Sequence, residues 1–542
     1  MEYRSLTLDE IEKMQQNGCW AEDWGLLTVA EDFTANNIRR TSFYGEITIG
    51  ENCVLDNIGC IRNTGDGSFG ENNRISVMNE AGEGNVVIHS LLTSQEAALC
   101  MLCKNGTAAY GGDDDEPRQT TIGSNTRIVN TRELTNVIIG DNCELSGASR
   151  LADCTLAGEE IFIGSDVICE NAVIKTGATV LDGAKLYNCF VGEAVHIGKG
   201  FSAENSLFFA NSYMDNGEAC AAFCGPFSVS HHKSTLLIGA QYMFYNAGSN
   251  TNFSNHAYKI GPVHYGTMER GAKTASGAHI LLPARIGAFS MVMGKVQNHP
   301  DTSSLPFSYI IADAAGTSIV PGRNFATVGT YRDVNKWEKR DMRTTKEEIV
   351  NFDWLNPMVM GEVVRGRQLL ETLMEEQGRN QSCYITDDGC TIKNHALMKG
   401  IHYYDMAIRM YLGSMVEHYG AYLPESSVGS GEWADLAGLL APKSEIDGLV
   451  DDFGETGLGD IRERLKELHR NYEEYKWAWT YRMATDYYGL DNMTQDDADE
   501  IVKEGKAARE QWLDAIRRDA EREFALGDVD EDVLNAFLNQ LK

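Results

Sequence analysis

Counted in sixes from Ile139, the chain reads IGDNCE, LSGASR, LADCTL, AGEEIF, IGSDVI, CENAVI, KTGATV, LDGAKL. The first positions are Ile139, Leu145, Leu151, Ala157, Ile163, Cys169, Lys175 and Leu181. The fifth positions are Cys143, Ser149, Thr155, Ile161, Val167, Val173, Thr179 and Lys185. Eight consecutive hexads therefore keep one frame, aliphatic mostly at the first position and small or β-branched mostly at the fifth. Lys175 and Lys185 are the poor fits. Such a period predicts one short strand and one turn per hexad, with three hexads closing a triangular coil. First-position side chains then point into a narrow prism, and Gly or Asn at the corners supplies positive φ. Each strand pairs with its equivalents in the coils above and below.

The pattern recurs elsewhere. Ile49-Gly50-Glu51-Asn52-Cys53 runs on to Leu55 and Ile61, and Ile122-Gly123-Ser124-Asn125-Thr126 runs on to Ile128 and Leu134. Val191-Gly192 and Ile197-Gly198 resume after a slip of four residues, and Ile238-Gly239 and Ile286-Gly287 lead to Phe244 and Val292. The prediction is a mainly β chain built on a left-handed parallel β-helix over 45–310, with insertions at 82–121, 208–236 and 256–280. An antiparallel sandwich also alternates apolar and polar residues, but nothing in it holds a six-residue frame. The eight tryptophans (20, 24, 337, 354, 433, 477, 479 and 512) all fall outside the predicted coil, as their bulk requires.

The period changes at both ends. Over 1–44 a lead-in starts with a short helix, where Thr7 and Glu10 have capping-box spacing, Leu8, Ile11 and Met14 form a stripe, and Gly18 ends it. After a connection over 311–350, the segment 351–542 reads as mostly helical. Asn356-Pro357 starts one helix, 403–419 is a second, and Ile461, Leu465, Leu468, Tyr472 and Tyr475 make an amphipathic stripe. Thr494 and Asp530 are N-cap candidates, 424–459 reads as a loop-rich connection, and the Trp and Tyr residues near 472–488 read as core.

Hydrophobic content of 43% with 23% charged residues is that of a folded protein. A formal net charge of −32 argues against nucleic acid or an anionic membrane as partner. The first twenty residues lack the apolar core of a signal peptide, and no apolar run reaches the roughly 18 residues of a membrane span, so a cytoplasmic location is expected. Thirteen scattered cysteines then read as thiols in a reducing compartment. Cys100-Met-Leu-Cys103 has no second CxxC to complete four zinc ligands, and the acidic loop at 110–117 lacks calcium-loop spacing. No tightly bound metal or cofactor is expected.

On its in-frame hexads, above all 139–186, the chain resembles the hexapeptide-repeat, trimeric acyltransferase-like superfamily over roughly half its length. The whole sequence looks like an uncharacterised bacterial family that joins such a coil to a helical tail. The superfamily resemblance implies a homotrimer, with small-molecule substrates held in clefts between subunits. It also implies a corner histidine that deprotonates a hydroxyl or amine acceptor of an acyl thioester.

Five of the twelve histidines fall between 231 and 279, and neutral imidazole is the usual base near pH 7. His256 is the candidate base, with His232 or His264 as substitute or partner. Asn255, Tyr258, Lys259, Arg270 and Lys273 are candidate substrate ligands, the cations suited to phosphates of acyl-CoA or a nucleotide sugar as co-substrate. His231 and His232 are adjacent, so within a strand they would face opposite ways. No P-loop or nucleotidyltransferase signature is present. The leading expectation is a transferase acting on a sugar, sugar nucleotide or similar metabolite. The alternatives are a non-catalytic scaffold or binding protein, and a zinc-dependent lyase or hydratase.

Overall fold

The computed structural model describes residues 2–103, 118–255, 265–453, 457–527 and 529–541. The chain is a parallel β-solenoid of about 15 turns with a helical C-terminal region. It divides into two compact units: Met1–Tyr242 with Ala247–Tyr265 and Met342–Glu348, and Met243–Asn246 with Gly266–Asp341 and Ile349–Lys542. The division falls inside the strand-bearing region instead of at its end.

In the first unit three ladders of buried side chains fill the prism. One runs Leu134, Leu151, Cys169, Leu186, Ala203, Ala219, each paired in parallel register with the next. A second runs Leu145, Ile163, Val180, Ile197, Met214, and a third Ile139, Leu156, Ile174, Val191, Phe208. All of these lie between 0% and 3% exposed. Successive coils are mostly 17 or 18 residues apart, as in Ile163↔Val180 and Leu151↔Cys169, with a step of 16 from Ala203 to Ala219. The six-residue frame therefore drifts by one wherever a coil has 17. That is why Lys175 and Lys185 fit the frame poorly: Ile174, Val180 and Ala184, each one residue earlier than the frame expects, are the buried ones. At one corner Asn136, Asp153, Asn171, Asn188 and Asn205 recur with φ between 48° and 53°, a conformation that short amide and carboxylate side chains tolerate.

Pairing starts earlier than residue 45. Trp20–Ala21 pairs with Ser42–Phe43, and Leu27–Val29 with Ile47–Ile49, in parallel. Trp20 is thus on a coil strand, with its ring on the outside against Tyr44. The lead-in helix α1 (Leu8–Gln16) carries the full Thr7/Glu10 capping box. The insertion before residue 120 leaves the ladder intact, since Ile49 pairs directly with Ile122. It begins earlier than the expected residue 82, and its described elements are a hairpin (Asn73–Ile75, Val86–Ile88) and helix α2 (Ser94–Leu102). The segment Met342–Glu348 returns to this unit, where the N–H groups of Thr344, Thr345 and Lys346 donate to the Glu193 carboxylate at 2.5–3.0 Å.

In the second unit the ladder Lys273–Met291–Tyr309 is followed by an antiparallel hairpin, Tyr309–Asp313 with Gly316–Val320. The helices are α3 (Val328–Val334), α4 (Pro357–Gln377), α5 (Asn394–Tyr419), α6 (Lys443–Asp452), α7 (Leu458–Arg470), α8 (Tyr472–Tyr488), α9 (Gln495–Leu526) and α10 (Glu531–Leu538). Asn356 caps α4 through Val359 N–H with Pro357 in the first turn, and Thr494 caps α9 in a box with Asp497. The stripe read as one helix is two, broken at Asn471 between α7 and α8. The span 424–459 is more ordered than a loop, containing a hairpin (Trp433–Leu436, Leu439–Pro442) and α6. Helices α5 and α9 meet backbone to backbone at Gly413 and Gly505. No helix among the described residues is long and apolar enough to cross a membrane, and the thirteen cysteines form no disulfide.

Candidate functional site

A 17-residue coil puts every seventeenth residue in one outward row. Thr179 pairs with His196, and His196 with Tyr213, on three successive coils of the first unit. One position pair further along, Gly198 pairs with Asp215. The row brings together a hydroxyl, an imidazole and a carboxylate. Thr179 Oγ1 lies 2.9 Å from His196 Nδ1, and His196 Nε2 lies 3.3 Å from Asp215 Oδ1. The His196–Asp215 contact is long and not aligned as a hydrogen bond, so Oδ1 is a buried oxygen without a hydrogen-bond partner. The other oxygen, Oδ2, accepts from Lys199 Nζ at 2.7 Å. Gly198 makes the approach feasible, because a Cβ there would stand 2.9 Å from Asp215 Oδ1 and 3.2 Å from His196 Nε2.

Burial differs sharply along this row. Asp215 is fully buried, the His196 side chain is 25% exposed, and Tyr213 is 38% exposed. Tyr213 stacks on His196 with centroids 4.2 Å apart. Its other neighbour is His231, edge-on at 6.2 Å, which in turn contacts His232 at 4.2 Å. The pair His231-His232 follows the strand Val229–Ser230 and lies outside it, so the strand rule of opposite faces does not apply and both rings are exposed together. Burial, then the neighbouring His232, holds the His231 imidazole below its usual value, while Asp215 opposes the shift. Burial and then the Asp215 charge push the Tyr213 phenol up. The Lys199 amine is raised by its hydrogen bond and charge contact with Asp215.

A neutral imidazole with Nε2–H turned to Asp215 presents Nδ1 as an acceptor. Taking a proton at Nδ1 would then create an imidazolium beside a buried carboxylate, which stabilises that charge. The arrangement can therefore remove a proton from a hydroxyl placed where Thr179 Oγ1 now stands, or from Thr179 itself.

Of the residues expected from sequence, His232 lies beside this row. His256, Tyr258, Lys259 and His264 fall outside the described residues, as does the Asn255 side chain. Arg270 and Lys273 belong to the second unit. Arg270 is fully buried: its Nε donates to Asp435 Oδ2 at 2.7 Å, Nη1 to the Asn351 carbonyl at 2.6 Å and Nη2 to the Gly438 carbonyl at 3.3 Å. Lys273 contacts the carboxylate of Asp333, which Lys336 also reaches. Burial, then Lys336 and Arg332, pushes the Lys273 amine down to about 8. Among the described residues no group of three or more His, Cys, Asp or Glu is placed to hold a metal ion.

Thr179, His196, Lys199, Tyr213 and Asp215 do not stand out in the sequence, because the histidines cluster elsewhere, between 231 and 279. The signal was present as spacing: 179, 196 and 213 fall 17 apart, which is the coil length and not the hexad triple.

The family described as a domain of unknown function, DUF4954, matches residues 3–53 and 47–374. The chain belongs to this family. A second domain of unknown function, DUF6819, matches residues 417–528 in the helical region. An uncharacterised protein of Treponema pallidum (strain Nichols) is 22% identical over 587 residues, covering 87% of this chain and 79% of that protein. A crystal structure from Desulfovibrio desulfuricans G20, described as "putative acetyltransferase", covers 62% of this chain and 86% of its own at 11% identity. Its TM-score is 0.15, and a superposition that weak carries no inference for this chain.

Proposed function

We propose that the DUF4954 coil carries a transferase site, with His196 as general base, Asp215 as the buried carboxylate that balances the charge His196 would gain, and Lys199 holding Asp215. The observation that supports this reading is the line of two contacts, from Thr179 Oγ1 to His196 Nδ1 and from His196 Nε2 to Asp215 Oδ1. The acceptor is a hydroxyl or amine of a sugar, sugar nucleotide or similar metabolite. Its oxygen or nitrogen attacks the carbonyl carbon of an acyl thioester such as acyl-CoA while its proton passes to His196 Nδ1. The C–S bond breaks, and the proton leaves His196 with the departing thiol. A nucleotide sugar is the other co-substrate class suited to the same base. The half-exposed row faces outward, as a cleft shared between subunits of a homotrimer requires.

His256 is a rival base within the same reading, and the variants His196→Ala and His256→Ala separate the two. Thermal melting against acyl-CoAs, nucleotide sugars and divalent metals is the first test. A ligand at 100 times its dissociation constant adds about 2.7 kcal/mol of stability. Stabilisation by an acyl-CoA or nucleotide sugar that is lost in His196→Ala supports the site. No shift with any compound favours the scaffold reading, and a shift with zinc alone favours a lyase or hydratase.

A further inference from the structure

Thr179 is the first residue of the two-residue strand Thr179–Val180. Val180 is buried in the prism, so strand alternation turns the Thr179 side chain outward. Parallel register fixes its place from both sides, with Phe162 on the preceding coil and His196 on the next. A β-branched side chain on such a strand has few χ1 choices, so the hydroxyl stays where the ladder sets it. That place is 2.9 Å from His196 Nδ1. Beyond the ring, His196 Nε2 faces Asp215 Oδ1 at 3.3 Å, a buried oxygen with no hydrogen-bond partner.

A hydroxyl beside a base, with a carboxylate behind the base, is the arrangement that activates serine and threonine as nucleophiles. The base belongs within about 2.6–3.2 Å of the hydroxyl, and the Thr179–His196 distance meets that condition. Asp215 need not orient the ring to help, because a buried negative charge this close stabilises the imidazolium that forms. The other nucleophiles of the row are held back. The Lys199 amine is raised by its hydrogen bond to Asp215 and stays an ammonium near neutral pH. Burial, then the Asp215 charge, keeps the Tyr213 phenol protonated.

We infer that Thr179 is itself an acyl acceptor, forming a threonine ester when an acyl donor reaches the row with no external acceptor in place. Thr179 Oγ1 attacks the carbonyl carbon of a thioester or activated ester while its proton passes to His196 Nδ1. The bond from that carbon to the leaving sulfur or oxygen breaks, and the thiol or alcohol departs with the proton from His196. The product is an acyl group on Thr179 Oγ1. This role rests on the same His196 base as the transferase reading and adds a covalent product which that reading does not contain.

The test is acid-quenched peptide mass spectrometry of the full chain after incubation with p-nitrophenyl acetate, an activated ester that needs no coenzyme site, and separately with acetyl-CoA. With p-nitrophenyl acetate, an acetyl ester on Thr179 is expected in the wild type, absent in Thr179→Val and reduced by about 100-fold or more in His196→Asn. Acetylation of exposed lysines such as Lys185, which does not need His196, should be equal in all three proteins and shows that the reagent acted. Circular dichroism checks that both variants are folded. Wild type with acetylated lysines and no ester on Thr179 overturns the inference, and so does an equal yield of ester in folded His196→Asn. The acetyl-CoA arm separates the two readings. An ester formed from p-nitrophenyl acetate, without turnover of any acyl-CoA and acceptor, upholds Thr179 and removes the transferase reading. Turnover of acyl-CoA without an ester on Thr179 from either donor upholds the transferase and overturns the role of Thr179.

Discussion

Ile174 and Lys175 are neighbours on one strand with opposite roles. Ile174 stands between Leu156 and Val191 in the buried ladder, whereas the Lys175 amine turns out to the Ser90 carbonyl at 2.5 Å and to Glu347 at 2.8 Å. Truncating Ile174 to Ala removes core volume that the prism cannot refill, a loss of about 2–5 kcal/mol. Lys175→Ala removes a partly exposed ion pair and one hydrogen bond, a loss of about 1–2 kcal/mol. Urea denaturation of the two variants should therefore rank Ile174→Ala as the more damaging. The reverse order would restore the strict six-residue frame.

The same pair shows how far the sequence could be read. Hexads such as IGDNCE announce the strand, the turn and the inward aliphatic, because side-chain alternation and corner φ are local properties. The length of each coil is not local. Whether a coil takes 16, 17 or 18 residues depends on how its corners stack on the coil below, and a single missing residue moves every later side chain to another face. Helix starts at Asn356 and Thr494 were legible through their caps. The hairpin at Trp433–Pro442 was not, since its strands are short and lie in a Gly-rich stretch. The row from Thr179 to Tyr213 was hidden for the coil-length reason, as its residues share a site only through inter-coil register.

His231 gives a local test of the electrostatics around that row. Its imidazole is held down by burial and then by His232. Proton NMR titration should place the His231 midpoint below the ordinary imidazole value of about 6.5, and His232→Ala should move it upward. An unchanged midpoint in His232→Ala would show that the two rings, 4.2 Å apart here, do not interact in solution.

Glu348 makes the first unit's stability depend on pH. Burial pushes its carboxyl up to about 7, against a Ser94 hydrogen bond and the Arg343 charge. Its Oε2 accepts from Ala210 N–H at 3.3 Å. A carboxyl raised in the folded state binds more protons folded than unfolded, so its contribution is full below the unfolded value and is lost as pH rises through about 7. Glu348→Gln should melt higher than the wild type at pH near 8, by about 1–3 kcal/mol of stability, and nearly equal to it near pH 5. A variant destabilised equally at both pH values would show that Glu348 is needed as a charge.

In the second unit, a Cβ on Gly413 would stand 2.5 Å from Gly505 Cα, and the obstructing atoms are backbone, which cannot turn aside. Gly413→Ala gains about 1 kcal/mol of helix propensity but overpacks a helix crossing at about 1–3 kcal/mol. The net expectation in thermal melting is destabilisation, despite Ala being the better helix former. A more stable Gly413→Ala protein would mean that α5 and α9 separate in solution.

The most direct measurement of the central proposal is thiol release from acyl-CoAs in the presence of sugar, sugar-nucleotide and amine acceptors, by wild type and by His196→Asn. General-base removal typically costs about 10²–10⁴-fold. Acceptor-dependent release by the wild type, reduced to that extent in a folded His196→Asn protein, is the expected result. Equal turnover by His196→Asn, or no release by the wild type with any donor and acceptor, would contradict the assignment of His196 as the base of a transferase.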